Sequence, residues 1–287
     1  MEKEHDINFL KTWIGKSEIT KDYVDLRSVN ALAATLDYDY KFSLNDPIPL
    51  LWHFLFFWKV SATLDLFSDG HAPRGDLIPP IQYPRRMWAG GRLNFFDNLT
   101  VGTEVDRKST IKDINFKKGK TGKLAFVCIK HDYISRGKVL FNEEQDIVYR
   151  EEISQSSISL KKNSQASINA SWKKKIFPTS VLLFRYSALT FNTHKIHYDF
   201  NYSKENEGYP DIVVHGPLIA TYLIDLLRKN VPQKKILNYN YRAISPLFCN
   251  DYFNVYGRFV DDKKKLVELW ASNSKNELAM KANAELV

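Results

Sequence analysis

Over 217–228 the chain reads PLIATYLIDLLR, and only Thr221 and Asp225 interrupt an otherwise apolar surface. A helix that is apolar on every face has to be surrounded rather than laid on a surface. The chain beyond this helix has the character of β-structure, with strands expected near 237–243, 252–260, 265–271 and 277–287. In the last of these Leu278, Met280, Ala282, Ala284 and Leu286 alternate with Ala279, Lys281, Asn283 and Glu285, the period of a half-buried strand. An antiparallel sheet wrapped around one buried helix is an α+β arrangement.

The first half repeats the order of elements. Its richest apolar run, IPLLWHFLFFWKV over 48–60, is too short to span a membrane and carries His53 and Lys59. It is expected to lie in a core helix over about 47–67, followed by strands near 104–115, 123–134 and 138–149. Within the second of these, LAFVCI is continuously apolar, which predicts cover on both faces. Between the halves, SQSSISLKKNSQASINAS over 154–171 has the composition of an exposed connector. The expected organisation is a first unit over 1–153, a linker over 154–171 and a second unit over 172–287. A chain of 287 residues with 44% hydrophobic content can support two cores. Two such units in one chain can act as an internal dimer, so the expected state is a monomer with an internal pseudo-dimer, or a homodimer of it.

Composition narrows the function. Cys128 and Cys249 lack the paired spacing of a metal site or disulfide framework, which predicts buried thiols in a reducing compartment. A net charge of +8 favours an acidic partner. Nucleic acid is not the expected one, because the basic clusters at 117–123 and 173–175 are not interleaved with aromatics and no recognition motif accompanies them. The opening MEKEHDINFL has neither an apolar signal core nor the Arg-rich character of a transit peptide, consistent with a cytosolic protein or one whose presequence has been removed.

Chemistry concentrates between Arg185 and Leu227. His194, His197 and His215 are three of the seven histidines; Asn192 precedes them, Asp199 follows His197, and His215-Gly216-Pro217 opens the apolar helix. A metal site is not expected: no Cys joins the cluster, and Asp199, Glu205, Glu207 and Asp211 form no familiar ligand pattern. The helix start is the stronger signal. Its first N–H groups have no internal acceptor and carry the positive end of the dipole, Gly216 offers one unobstructed, and Pro217 needs none of its own.

These residues resemble the MaoC-like, R-specific enoyl-thioester hydratases, whose motif reads approximately GDxNPxH and is followed by an HG dipeptide opening the hotdog helix. FNTHKIH fills that motif, with His197 at the histidine and Phe191, Asn192, His194 and Lys195 replacing Gly, Asp, Asn and Pro. FNTHKIHYD, EGYPDIVVHGPL and LIPPIQYPRRMWAGGRLNFF together are similar to the fungal mitochondrial 3-hydroxyacyl-thioester dehydratases and the bacterial mesaconyl-CoA-type hydratases, over 77–227.

The resemblance implies a double hotdog whose second unit is catalytic and whose first, without catalytic residues, accommodates the acyl chain. It implies interconversion of a (3R)-hydroxyacyl thioester and a trans-2-enoyl thioester, on acyl carrier protein in mitochondrial type II fatty-acid synthesis. Two alternatives are a coenzyme A hydratase of the mesaconyl-CoA type and a non-catalytic thioester-binding module. His197 would take the C2 proton, Gly216 N–H would hold the enolate oxygen, and Asn192 with His194 would hold the hydroxyl, with Asp199 and His215 in support. If elimination is syn, the one imidazole can serve both atoms. Arg85, Arg86, Arg185 and Arg242 are the candidates for phosphate contacts, and Trp88, Gly90 and Gly91 for a close approach to the substrate. No cofactor is expected beyond the substrate's own phosphopantetheine or coenzyme A arm, and a mitochondrial location is implied.

Overall fold

In the computed structural model, which describes residues 7–119, 122–151 and 164–287, the first half contains α1 (Ile7–Lys11), β1 (Ser17–Tyr23), α2 (Leu26–Thr35), β2 (Arg85–Phe95), β3 (Glu104–Gly119), β4 (Gly122–Ser135) and β5 (Lys138–Arg150). The second half contains β6 (Trp172–Ile176), α3 (Ser180–Leu189), α4 (Gly216–Asn230), β7 (Ile236–Ala243), β8 (Phe253–Phe259), β9 (Leu266–Asn273) and β10 (Leu278–Leu286). All pairings are antiparallel, in the order β1-β3-β4-β5-β2-β7-β10-β9-β8-β6. The seam between the halves is β2 against β7, from Gly90↔Arg242 to Asn94↔Asn238, so two curled sheets become one. This is the double hotdog that the resemblance implied.

The all-apolar helix is where its composition demands. Every residue of α4 from Leu218 to Leu227 is buried. Of its two polar interruptions, the Thr221 hydroxyl donates to Pro217 O at 2.9 Å, whereas the buried Asp225 sits 3.5 Å from Arg228 and its Oδ1 has no hydrogen bond among the described residues. From the sheet, the Tyr239 hydroxyl donates to Ala220 O at 2.9 Å.

The expected helix over 47–67 does not form. Instead the segment carries two short 3₁₀ turns, Trp52–Leu55 and Thr63–Asp65, with Leu51 and Phe57 at φ 69° and 64°. Pro47 and Pro49 remove donors at its start, and left-handed residues interrupt helical propagation. The apolar residues are nonetheless used: Ile48, Leu51, Trp52, Leu55, Phe56 and Phe57 are buried in the main core. The long helix of the first half is α2 instead, capped by the Asp25 carboxylate on the Arg27 and Ser28 amides. LAFVCI also differs from expectation. In β4, Ala125, Val127 and Ile129 are buried while Leu124, Phe126 and Cys128 are only half-buried, so one face is better covered than the other.

Of the expected connector, 154–163 lies outside the described residues. Residues 164–171 run along the second half: Ala166 N–H donates to Asn276 O at 2.8 Å and Trp270 Nε1–H to Ser167 O at 3.0 Å.

A buried polar knot ties the halves together. Glu143 on β5 is fully buried; it accepts from His53 Nε2 at 3.0 Å, from the Tyr133 hydroxyl at 3.3 Å and, across the seam, from the Tyr241 hydroxyl at 3.0 Å. Three donors on one carboxyl suit an ionised acceptor.

Candidate active site

The loop that carries the histidines is shaped by its own backbone. Thr179 caps α3 through the Leu182 amide, and after Thr190 the chain reverses at Phe191, which adopts φ 51°. The Asn192 amide then returns to Ser187 O at 2.8 Å, and Asn192 Oδ1 accepts the His194 amide at 3.1 Å. A 3₁₀ turn, Lys195–His197, follows. It is locked to the strand entering α4 by two reciprocal bonds: Val213 N–H donates to Ile196 O at 2.8 Å, and His197 Nδ1 lies 2.7 Å from Val213 O.

That second bond fixes the chemistry of His197. A carbonyl accepts only, so Nδ1 carries the hydrogen and a neutral ring must present Nε2 as a lone pair. Burial lowers its pKa, against the pull of the Val213 bond and with help from the His71 charge, to about 4. The His197 ring stacks on His215 at 3.8 Å and 18°, and His194 stands edge-on to it at 5.6 Å. His215 Nε2 meets Ser187 Oγ at 2.8 Å, whereas its Nδ1 is buried without a partner. The next residue, Gly216, is the first of α4, and its N–H makes no hydrogen bond among the described residues. A neutral imidazole base and a free amide donor are thus one ring-stack apart.

His131, His194, His197 and His215 are all held below the ordinary histidine range, in each case first by burial. Their pKa values are depressed in the folded state, so unfolded chain binds more protons as pH falls below about 6.5. Their contribution to stability is full above that pH and is lost on acidification toward pH 4. Each proton involved adds about 1.4 kcal/mol per pH unit to the slope. Thermal unfolding followed from pH 8 to 4.5 is expected to show a plateau and then a fall corresponding to more than one proton; a flat profile would contradict neutral burial of these four histidines, of which His131 lies on β4 outside the site.

Asn192, His194, His197, His215 and Gly216 therefore come together. Trp88 joins them, because its ring lies against Gly216, where an added Cβ would stand 2.7 Å from Trp88 Cε3. Gly90 and Gly91 act one layer below: a Cβ at either would strike Tyr241, whose ring stacks on Trp88 at 4.6 Å. Arg86 is exposed at the start of β2, near enough to act on the charge state of His194, while Arg85 pairs with Glu207 at 3.7 Å.

Three expected residues lie apart. Asp199 accepts the Tyr202 amide at 2.9 Å and so caps the next turn. Arg242 is exposed on β7, opposite Lys281. Arg185 lines a cavity of about 400 Å³ with Lys174, Lys175 and residues of α2, and no histidine lines it.

Two residues not anticipated from the sequence reach the cluster from the first half. His71 Nδ1 is 2.8 Å from Asp69 Oδ2, and the His71 ring lies 4.1 Å from that of His194. Asp69, His71 and His194 offer ligand atoms within 4.8 Å of one another, the one grouping among the described residues able to approach a metal ion. An Asp-Gly-His loop was visible in the chain, but nothing in its spacing ties it to a segment over 120 residues away.

Known proteins similar to this chain bear on its family and its fold. The family profile for hydroxyacyl-thioester dehydratase type 2 matches residues 51–249. A protein of Chloroflexus aurantiacus named mesaconyl-C(4)-CoA hydratase is 38% identical, over 96% of this chain and 96% of its own length. A Schizosaccharomyces pombe protein named mitochondrial hydroxyacyl-thioester dehydratase type 2 is 28% identical, over 81% of this chain and 87% of its own. Among solved structures, a MaoC-like dehydratase of Phytophthora capsici superimposes with a TM-score of 0.68 at 12% identity, over 95% of each chain, which supports the fold.

Proposed function

Because the chain belongs to the hydroxyacyl-thioester dehydratase type 2 family, we propose that His197 and Gly216 carry out the reversible loss of water from a (3R)-hydroxyacyl thioester. The enzyme class, a hydro-lyase, follows from the family and from the relatives named hydratase and dehydratase. The observation that carries the site assignment is the His197 Nδ1 bond to Val213 O, which leaves Nε2 as the base beside the start of α4.

Taking a proton from C2 puts negative charge on the thioester oxygen, and an amide already aimed at that oxygen costs no reorganisation during the reaction. Gly216 N–H is that donor. A base that remains neutral at working pH is available in every molecule, and positioned proton transfer of this kind is worth about 10²- to 10⁴-fold. Asn192 lies beside the cluster with its Oδ1 bound to the His194 amide, which leaves its side-chain NH₂ for the hydroxyl or water. Arg86 is the arginine best situated to meet a phosphate of the incoming arm, and the substrate itself supplies the only prosthetic group the reaction needs.

The carrier we propose is acyl carrier protein, whose acidic surface would suit the +8 charge of this chain. That reading implies a mitochondrial location, supported by the compartment in the name of the Schizosaccharomyces pombe relative. A second reading, the same chemistry on a coenzyme A thioester, is favoured by the 38% identity to the Chloroflexus aurantiacus protein. Enoyl absorbance followed with crotonyl and longer enoyl groups on each carrier separates them. The proposed carrier is expected to give the higher kcat/KM by tenfold or more; binding without hydration on either carrier would leave only a thioester-binding module.

A further inference from the structure

Asn192 stands where the MaoC-like motif has its carboxylate, so FNTHKIH itself offers no acid for the hydroxyl that leaves C3. The other half of the chain brings a carboxylate–imidazole pair to the same place. The loop that carries it is seated tightly: Lys195 N–H donates to Asp69 O at 2.9 Å, and Thr193 Oγ1 donates to Gly70 O at 2.5 Å. Gly70 adopts φ 91°, and a side chain there would collide with Thr193 O, so only glycine allows the approach. Asp69 holds His71 twice, through the His71 amide at 2.9 Å and through Nδ1 at 2.8 Å. With Nδ1 engaged, Nε2 faces away from the carboxylate and makes no hydrogen bond among the described residues.

We propose that His71, oriented by Asp69, is the second proton-transfer group of this active site and serves the C3 hydroxyl while His197 serves C2. The inference rests on the hydro-lyase reading above. In dehydration, the C2–H bond breaks, its proton passes to His197 Nε2, and its electron pair becomes the C2–C3 π bond by way of the enolate. The C3–O bond then breaks with its pair on oxygen, which takes the Nε2 proton of a protonated His71 and departs as water. His197 ends protonated and His71 neutral, and the proton returns from one to the other through solvent before the next turnover.

Three features support the assignment. Asp69 and His71 are about one-quarter exposed, unlike the buried His197 and His215, so a substrate can reach them. His194 contacts both imidazoles, its ring 4.1 Å from that of His71 and 5.6 Å from that of His197, so the pair from the first half joins the same side-chain cluster as His197. Finally, Asp69 is kept ionised, because the His71 bonds overcome the burial that would raise its pKa and bring it to about 2. The other charged or titratable groups facing the pair are Arg74 on its own segment, His194, Lys195 and His197 on the site turn, Tyr202 and Glu207 on the next turn, and Arg86 on β2.

The test exploits a leaving group that needs no proton. Full-length wild type, His71→Gln, Asp69→Asn and His197→Ala are assayed with 3-hydroxybutyryl-coenzyme A and with 3-chlorobutyryl-coenzyme A, which expels chloride. His71→Gln is expected to lose water elimination by about 100-fold while keeping chloride elimination within about threefold; His197→Ala is expected to lose both. Asp69→Asn should fall between, with kcat reduced and KM unchanged. Retention of dehydration by His71→Gln would overturn the proposal, as would equal loss of both reactions, which marks a structural role. Loss of wild-type activity to a chelator, restored by a divalent metal, would overturn it in favour of metal ligation by the same residues. If wild type eliminates neither group from the coenzyme A esters nor from the same acyl groups on acyl carrier protein, the hydro-lyase reading itself fails.

Discussion

Replacement of His197 by alanine is expected to lower hydration of an enoyl thioester by about three orders of magnitude. Folding should survive the change. Among the described residues the ring's one hydrogen bond goes to Val213 O, and losing it costs about 1–3 kcal/mol, or several degrees of melting temperature in a chain of this size. The β2–β7 seam and α4 do not depend on it. Activity within tenfold of wild type, measured on protein with an unchanged melting profile, would remove His197 from the chemistry.

The visible part of this site was visible for a physical reason. Asn192, His194, His197, His215 and Gly216 fall within one short span, and the HGP start of an all-apolar helix marks the end of that span. The strands of the second half were legible from their period, as were α4 and the long β3-β4-β5 meander. What failed was composition read as conformation. IPLLWHFLFFWKV is apolar enough for a core helix, but two prolines and left-handed turns at Leu51 and Phe57 make it irregular core instead. Asp199 has the right spacing to serve His197, yet a short carboxylate competes well for a nearby backbone amide, and it caps the Tyr202 turn. Nothing but residue type marks Arg185 and Arg242 in the sequence, and type carries no position. Asp69 and His71 depend on packing of one half against the other, which periodicity within either half does not encode.

The largest stability effect is expected at Glu143. Alanine there would leave His53, Tyr133 and Tyr241 with buried donors and no acceptor, a loss of about 3–5 kcal/mol, read as a fall of about 10 °C in melting temperature. Burial alone would raise the Glu143 pKa, but the His53 charge and hydrogen bond, with His131 beside them, hold it down to about 2, below the ordinary 4.5. A depressed carboxyl stabilises the fold above its unfolded pKa and loses that contribution as pH falls through the folded value. Glu143→Ala should therefore have a smaller stability loss than wild type between pH 4.5 and 2. The knot also bears on the site, because Tyr241 stacks on Trp88 and Trp88 lies against Gly216. A variant as stable as wild type would show that the donors find other partners and that the carboxyl is dispensable.

The most direct examination of this mechanism is a crystal structure of the His197→Ala protein with an enoyl-coenzyme A trapped in place. The thioester oxygen is predicted about 2.7–3.1 Å from Gly216 N, with C2 facing the space vacated by the imidazole and C3 toward His71. A thioester bound elsewhere, or one whose carbonyl points away from the start of α4, would contradict it.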